Sequence, residues 1–326
     1  MCKIRFGIMG AAKIAGKFMD AMNYVKNAEA VTVASSSMER AEAFREKYGL
    51  SSADSYESML KRSDIDAVYI ATTQNFHKEH VLMCLRHGKH VLCEKAMALS
   101  EADAKEMFLL AEEKGLFLME AMWSRFLPNI LKAKKWIESG KIGNIQSAAA
   151  SLGFVNRLPA EGRILNPALG GGGMYDIGVY AVEVLSWLMG GKIRDVKSFM
   201  RPHPVTGVDE RVTMLLRYDV ADAVVDISVS SALKQFMLIN GTMGRIEIPA
   251  FHVGNKCIFT SFEDGAVEEY TEEFPGGNGF VYEIEETARC IMNGKTHSDV
   301  VPPETTYECA RVFDAVLRGM PFDRGE

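Results

Sequence analysis

Short apolar runs and longer amphipathic stretches alternate through the first third of the chain. Lys3–Met9, Ala30–Ser35, Ala67–Ala71, His90–Cys93 and Leu116–Met119 have strand length and are rich in apolar or β-branched residues. Between them, Ile14–Met22, Glu39–Tyr48, His77–Arg86 and Glu101–Lys114 read as helices. Strands separated by helices of this length predict βαβ crossovers and a parallel sheet. The pattern changes after Trp123. A helix is predicted from Asn129 to Ser139, where Gly140-Lys141-Ile142-Gly143 stops it. Strands then follow one another without intervening helices: Ile145–Leu152, Val196–Met200, Arg211–Tyr218, Ala223–Ser230, Phe236–Asn240, Arg245–Ile248 and Lys256–Phe262. Asn240-Gly241 and Asp264-Gly265 turns among such runs predict an antiparallel sheet. One apolar helix, Gly173–Met189, interrupts the series. Helices over Phe280–Met292 and Thr305–Arg318 close it.

The break near Trp123 divides the chain into two expected domains, residues 1–122 and 123–326. A length of 326 residues suits that number. At 48% hydrophobic and 25% charged, the composition is that of a globular protein and excludes a disordered one. The net charge of -6 argues against nucleic acid, which needs a clustered basic surface. No apolar run approaches the ~20 residues of a membrane helix. The first residues lack the apolar core and cleavage site of a signal peptide. The six cysteines show no C-x-x-C pair and read as free thiols in a reducing cytosol. A cytoplasmic protein is therefore expected. His77, His80, His87 and His90 make two H-x-x-H spacings, but no thiolate or carboxylate set completes a site, so no metal is expected.

The first strand runs into Gly10-Ala11-Ala12-Lys13-Ile14-Ala15, a G-x-A-x-x-A variant of the dinucleotide fingerprint. Such a site needs a sharp turn at Gly10, close backbone approach to the pyrophosphate, which Ala12 in place of the middle glycine limits somewhat, and free helix N–H groups at Lys13 and Ile14 for phosphate. The second strand ends in Ser35-Ser36-Ser37, with Arg40 beyond. An NAD site would carry an acidic residue there for the ribose hydroxyl. Small hydroxyl donors and Arg40 suit a 2′-phosphate, so NADP is preferred and NAD is the alternative. The same residues also read as an ordinary helix cap with an exposed arginine, and both readings can hold. Thr72, Asn75 and His77, after the third strand, are placed at the carboxyl edge where ligands sit in a doubly wound sheet.

Two sites carry candidate chemistry. Glu94-Lys95 directly follows an apolar strand at that edge. It reads either as a solvated strand end or as an ammonium held beside nicotinamide and a substrate hydroxyl. Cys93 beside it reads as a small buried hydrophobe. The second site is the run Gly170-Gly171-Gly172-Gly173 and the helix after it. There Asp176, Tyr180 and Glu183 fall on one stripe at i, i+4 and i+7. A buried Asp needs a charge partner and a buried Tyr a hydrogen bond, both of which Lys95 would supply. A capping Asp with Tyr packed in the core is the alternative.

In this order, Gly10–Ala15, Glu94-Lys95, Glu120–Pro128 and Gly173–Tyr180 resemble the motifs of the Gfo/Idh/MocA oxidoreductases. The resemblance covers essentially the whole chain. Met122-Trp123-Ser124-Arg125-Phe126 is most similar to the branch containing trans-dihydrodiol dehydrogenase and NADP-dependent D-xylose dehydrogenase. The resemblance implies an N-terminal Rossmann domain and a C-terminal α/β domain with a large, mostly antiparallel open sheet, through which members pair as homodimers or higher oligomers. It implies catalytic roles for Lys95, Asp176 and Tyr180, with Trp123, Arg125 and Phe126 in the substrate pocket. Asn156, Arg157 and Arg163 are weaker pocket candidates. The expected reaction is hydride transfer between NAD(P) and a secondary alcohol of a sugar, polyol or cyclic diol. Whether Lys95 or Tyr180 is the immediate base stays open. A non-catalytic NADP-binding sensor is the alternative. The chain departs from the family pattern at Ala96, where members have Pro, and at Thr73-Gln74, where they have Pro-Asn. Ser36 stands where some NADP-dependent members have Arg, which leaves Arg40 to recognise the phosphate.

Overall fold

The structure, a computed structural model, describes residues 3–322. The expected thiol of Cys2 lies outside them. The chain forms two compact units. The first takes the chain up to Ala98, Ala102–Trp123 and Phe274–Pro303. The second takes Leu99–Glu101, Ser124–Glu273 and the chain from Glu304 onward.

In the first unit β1 (Ile4–Met9), α1 (Lys13–Met22), β2 (Ala28–Ala34), α2 (Met38–Tyr48), β3 (Ser52–Asp54), α3 (Tyr56–Leu60), β4 (Ala67–Ile70), α4 (His77–Arg86), β5 (His90–Glu94), α5 (Glu101–Glu113) and β6 (Leu118–Ala121) follow in sequence. The six strands are all parallel, in the order β3-β2-β1-β4-β5-β6. This is the doubly wound order of dinucleotide-binding folds. Helices cover both faces of such a sheet, so its strands read as continuous apolar runs. Phe6, Ile8, Val68 and Tyr69 are completely buried. Phe18 of α1 stacks on Tyr69, with ring centroids 4.0 Å apart. Burying a side chain of this size is worth roughly 1.5–3 kcal/mol, and it locks α1 against the sheet. β3 and α3 have no counterpart in the sequence reading.

The second unit opens with α6 (Pro128–Glu138), started by a proline whose missing N–H costs nothing at a first helical position. β7 (Ile145–Gly153) follows, then a single π-helical turn, Met174–Gly178, that runs into α7 (Val179–Met189). β8 (Ile193–Pro202), β9 (Asp209–Tyr218), β10 (Asp222–Ser228), β11 (Phe236–Gly241), β12 (Gly244–Pro249), β13 (Lys256–Ser261) and β14 (Val267–Thr271) complete a sheet in the order β14-β13-β12-β11-β7-β10-β9-β8. Its pairs are antiparallel except β7 with β10, which run parallel. One face is buried. On the other, Leu215, Val224, Ala149 and Leu238 stand in register across four strands. Phe199 of β8 is 86% exposed.

The units are not separated by a single cut at residues 122/123. α8 (Phe280–Met292) lies in the first unit and α9 (Pro303–Arg318) falls almost wholly in the second. The return of Phe274–Pro303 is fixed by hydrogen bonds. Asn278 Nδ2 donates to the Lys17 carbonyl at 2.7 Å, Asn27 Nδ2 to the Glu285 carbonyl at 2.9 Å, and Leu118 N to the Thr296 carbonyl at 3.0 Å. The expected domain over residues 123–326 therefore loses this segment to the nucleotide-type fold.

Candidate active site

The carboxyl edge of the parallel sheet is built by sharp exits from its strands. Gly10 leaves β1 with φ +107, and its N–H donates to the Ala34 carbonyl at 2.8 Å. A Cβ at this position would stand 3.0 Å from the backbone of Ala71 at the end of β4. Ala12 precedes α1 in extended conformation and places no side-chain cap on the helix. The first N–H groups of α1 are thus left for another acceptor. Lys13 is exposed and Ile14 half-buried at that N-terminus. At the end of β2, Ser37 caps α2 by accepting from Arg40 N, and Arg40 Nη2 donates to Ser36 Oγ at 2.9 Å. Ser35 is buried, and its Oγ accepts from Ser37 N. The cap and the exposed arginine therefore coexist on one loop.

Lys95 sits on a turn braced from several sides. Glu94 accepts from the Tyr69 hydroxyl at 2.5 Å and from Lys95 N at 3.3 Å. The Ala96 carbonyl lies 2.8 Å from His77 Nδ1. Met97 N donates to Glu120 Oε1 at 2.8 Å. The Lys95–Ala96 peptide is cis. Lys95 itself is half-buried. Thr72 Oγ1 contacts His80 Nδ1 at 3.0 Å, and Asn75 accepts from Thr73 Oγ1 at 2.7 Å.

His77 differs from its expected role as a cofactor contact. It is 1% exposed, and its second nitrogen faces the Thr72 carbonyl at 3.1 Å. Both ring nitrogens face backbone carbonyls, one of which accepts the single N–H of the neutral ring, so the ring shapes the strand ends. Burial pushes its pKa down to about 4, so it is neutral at pH 7. Cys93 is fully buried, and burial drives its thiol well above the usual range, which makes it inert packing. The remaining histidines also have local partners. His80 packs between Tyr56 and Phe76, His87 faces the Met83 carbonyl, and His90 accepts from Phe117 N. Among the described residues no cluster could hold a metal ion.

In the second unit the glycine run leads into the π-turn that carries Asp176. Its carboxylate receives Arg163 Nη1 at 2.9 Å. The charge partner that the sequence reading sought in Lys95 is thus present within the unit, at one of the weaker pocket candidates. Tyr180 is half-buried at the start of α7, its ring centroid 5.7 Å from that of His252. The expected stripe with Glu183 assumed α-helical spacing. The π-turn ends at Gly178, so it widens the interval between Asp176 and Tyr180, while Tyr180 and the fully buried Glu183 both lie in regular α7.

The stretch Trp123–Phe126 is core. Trp123 is 8% exposed and its ring lies 5.2 Å from that of Phe280 in the first unit. Phe126 is buried. Arg125 is 1% exposed, donates to Thr305 Oγ1 at 2.8 Å and lies 4.9 Å over the Trp187 ring. It ties α9 to α7. Sequence reasoning missed His252, which sits in the β12–β13 connection without a motif. It also missed Glu283 on α8. Burial, and then the Glu94 carboxylate, hold the Glu283 carboxyl well above the usual range.

Two family models match this chain. Residues 4–122 match an oxidoreductase family with an NAD-binding Rossmann fold, and residues 130–247 match the GFO/IDH/MocA C-terminal domain. The chain belongs to the Gfo/Idh/MocA oxidoreductase family. It is similar to trans-1,2-dihydrobenzene-1,2-diol dehydrogenases, being 33% identical to the mouse protein, with 97% of each chain covered. The rabbit protein is 32% identical, covering 96% of this chain and 97% of that one. Among solved structures, it resembles a 3-ketoreductase from Actinomadura kijaniata in complex with NADP and TDP-benzene. That match has a TM-score of 0.87, 27% identity and coverage of 97% and 98%. An aldose-aldose oxidoreductase from Caulobacter crescentus, 24% identical with a TM-score of 0.88 and 97% of each chain covered, shares the fold.

A Gfo/Idh/MocA chain implies a dinucleotide, and the residues fit one. The turn at Gly10 comes so close to Ala71 that a Cβ would stand 3.0 Å from its backbone, and α1 begins without a side-chain cap. Both are what close approach of a pyrophosphate requires. As a member of this family, the protein is an oxidoreductase with an NAD-binding fold. None of its helices is long and apolar enough to cross a membrane, among the described residues.

Proposed function

We propose that the chain is an NADP-preferring dehydrogenase that reversibly oxidises a secondary alcohol of a sugar, polyol or cyclic diol. The observation that carries this reading is the braced turn of Lys95. It follows β5 at the same carboxyl edge as the Gly10 turn after β1, with β4 between them. In a doubly wound sheet that edge is the ligand side. The named activities of the mouse diol dehydrogenase and the bacterial ketoreductase fit the same chemistry.

Gly10, Ala12, Lys13 and Ile14 would hold the pyrophosphate, with Ser36, Ser37 and Arg40 at the ribose 2′-phosphate. Thr72, Asn75 and Glu94 would border the trough. The nicotinamide, when bound, supplies or accepts hydride. The protein's part is to move the hydroxyl proton. Lys95 would act either as an ammonium that lowers the pKa of the substrate hydroxyl while Tyr180 takes the proton, or as the neutral amine that takes the proton itself. Asp176, held by Arg163, orients a substrate hydroxyl. The test is a screen of aldoses, polyols and cyclic diols, followed by NADPH absorbance. Turnover of one class supports the reading, and tight NADPH binding with no turnover of any class overturns it.

Cofactor choice rests on Arg40. The end of β2 offers hydroxyls and no carboxylate, which would repel a 2′-phosphate. Arg40→Ala is expected to raise the KM for NADPH by about 10- to 100-fold, as for a charge-assisted hydrogen bond, and to leave that for NADH unchanged. Equal effects on both cofactors would remove Arg40 from the phosphate site.

The row Leu215, Val224, Ala149 and Leu238 on the open sheet face suits a second copy of the chain. A homodimer is the assembly we propose. Sedimentation is expected to give a dimer mass for the wild type and a monomer mass for Leu215→Arg. A monomeric wild type at every concentration would overturn it. The buried thiols Cys84, Cys93, Cys257 and Cys290 suit a cytosolic setting, which cell fractionation would check.

A further inference from the structure

The four glycines before the π-turn are not explained by turn formation alone. Gly170 ends a short 3-10 turn with φ +74. Gly171 is walled in by backbone, and a Cβ there would stand 2.7–2.9 Å from the carbonyl oxygens of Asn166, Ile164 and Arg163. Gly172 and Gly173 instead face a side chain. A Cβ on Gly172 would fall 2.1 Å from Asp209 Oδ1, and one on Gly173 would stand 3.2 Å from Asp209 Oδ2. The carboxyl of Asp209, the first residue of β9, therefore occupies the volume that a side chain at Gly172 would need and, with its own backbone oxygen, crowds one at Gly173.

This carboxyl is 4% exposed and accepts from Met174 N at 2.6 Å. Met174 is the first residue of the π-turn. The next link is backbone: Asp176 N donates to the Gly172 carbonyl at 3.1 Å. One carboxylate thus fixes both the strand-side wall of the glycine run and the first N–H of the segment bearing Asp176 and Tyr180. Burial pushes its pKa up to about 7, while the hydrogen bonds from Met174 and Gly173 hold it down. A buried acid kept at such a cost needs partners, and here the partners are backbone groups of the candidate active segment.

We infer that Asp209 is a positioning residue: seated in the space left by Gly172 and Gly173, it sets the turn that aims Asp176 and Tyr180. The inference rests on the catalytic reading of those two residues given above. Asp209 touches neither substrate nor cofactor in this role, and acts through the Met174 backbone.

The experiment compares Asp209→Ala, Asp209→Asn and Gly172→Ala with the wild type. Three measurements are made: hydrogen–deuterium exchange of the segment Gly172–Tyr180, NADPH affinity, and steady-state kinetics on the alcohol found by the screen. Asp209→Ala removes the acceptor of Met174 N. It is expected to speed exchange in that segment and to lower kcat by about 10- to 100-fold, the range for losing a hydrogen bond to a charged group. NADPH affinity should stay within about twofold, because the nucleotide residues lie in the other unit. Asn keeps an oxygen for Met174 N and should restore both exchange and kcat to within about threefold. Gly172→Ala pushes a methyl into the seat and also strains a backbone at φ +132, so it should disturb exchange and kcat at least as much as Asp209→Ala, and the rescue by Asp209→Asn is what isolates the seat. Unchanged exchange in Asp209→Ala overturns the inference. So does a fall in stability with wild-type kcat. A wild type that turns over no alcohol defeats the functional reading instead, and the exchange result then still decides whether Asp209 holds the turn.

Discussion

Lys95→Ala and Tyr180→Phe, made separately, are each expected to lower kcat by about 10²- to 10⁴-fold, the span of a general acid–base contribution. The two substitutions test different atoms. Tyr180→Phe deletes one oxygen and keeps the ring beside His252, so packing in α7 is retained. Lys95→Ala removes the ammonium from a turn that is held by Tyr69, His77 and Glu120 through its neighbours Glu94, Ala96 and Met97. That bracing does not use the Lys95 side chain, so the turn should survive the change. NADPH affinity measured by fluorescence should therefore fall far less than kcat. A pH–rate profile separates the roles, because the variant lacking the base loses the acid limb of the wild-type profile. Near wild-type turnover in both variants, with a confirmed substrate, would remove them from catalysis.

How far the sequence reveals this molecule depends on how local the cause of each feature is. The parallel sheet is legible because its strands are buried on both faces and read as unbroken apolar runs. β3 has three residues and α3 five, too few to carry a period. β14 is a mostly exposed edge with the sequence Val-Glu-Glu-Tyr-Thr, so no apolar alternation marks it. The return of α8 to the first unit is a tertiary fact. An amphipathic face does not say which unit it packs on, and the contacts that fix the segment come from Asn27, Lys17 and Leu118.

The candidate site follows the same logic. Gly10 and the Glu94-Lys95 turn are set by neighbouring residues, so both stand out in the sequence. The burial of Arg125 is not legible, because a charged residue is rarely buried and its partners Thr305 and Trp187 lie far along the chain. His77 was read as a ligand contact from its place at the edge. Its actual partners are backbone carbonyls, which leave no mark in a sequence. The stripe of Asp176, Tyr180 and Glu183 assumes α-helical spacing throughout, and the π-turn over Met174–Gly178 alters the interval between Asp176 and Tyr180 while Tyr180 and Glu183 keep it. Asp209 has no motif at all. Only the glycines that make room for it were visible.

Those glycines and Gly10 share one principle: a side chain is omitted where another group must come close. Gly10→Ala is accordingly expected to be the most damaging small change in the nucleotide half. Two effects add. At φ +107 an alanine is strained, at a cost on the order of 1–3 kcal/mol. Its Cβ also meets the Ala71 backbone at 3.0 Å and Thr72 Cγ2 at 3.2 Å. The backbone of Ala71 cannot step aside, because Ala71 N is bonded to the Met9 carbonyl at 2.8 Å. Relief must come from the turn itself, which swings the start of α1 away from its phosphate-binding pose. NADPH affinity is expected to fall by about 10²-fold, two such increments of the ~1.4 kcal/mol that makes a tenfold change, and the melting temperature by several degrees. Gly88→Ala is the control. It also has positive φ, at +73, but no atom lies within 4 Å of the added Cβ. Strain without collision should cost it some stability and no cofactor affinity. If Gly10→Ala behaved like Gly88→Ala in an NADPH titration, close approach at Gly10 would not be what the nucleotide requires.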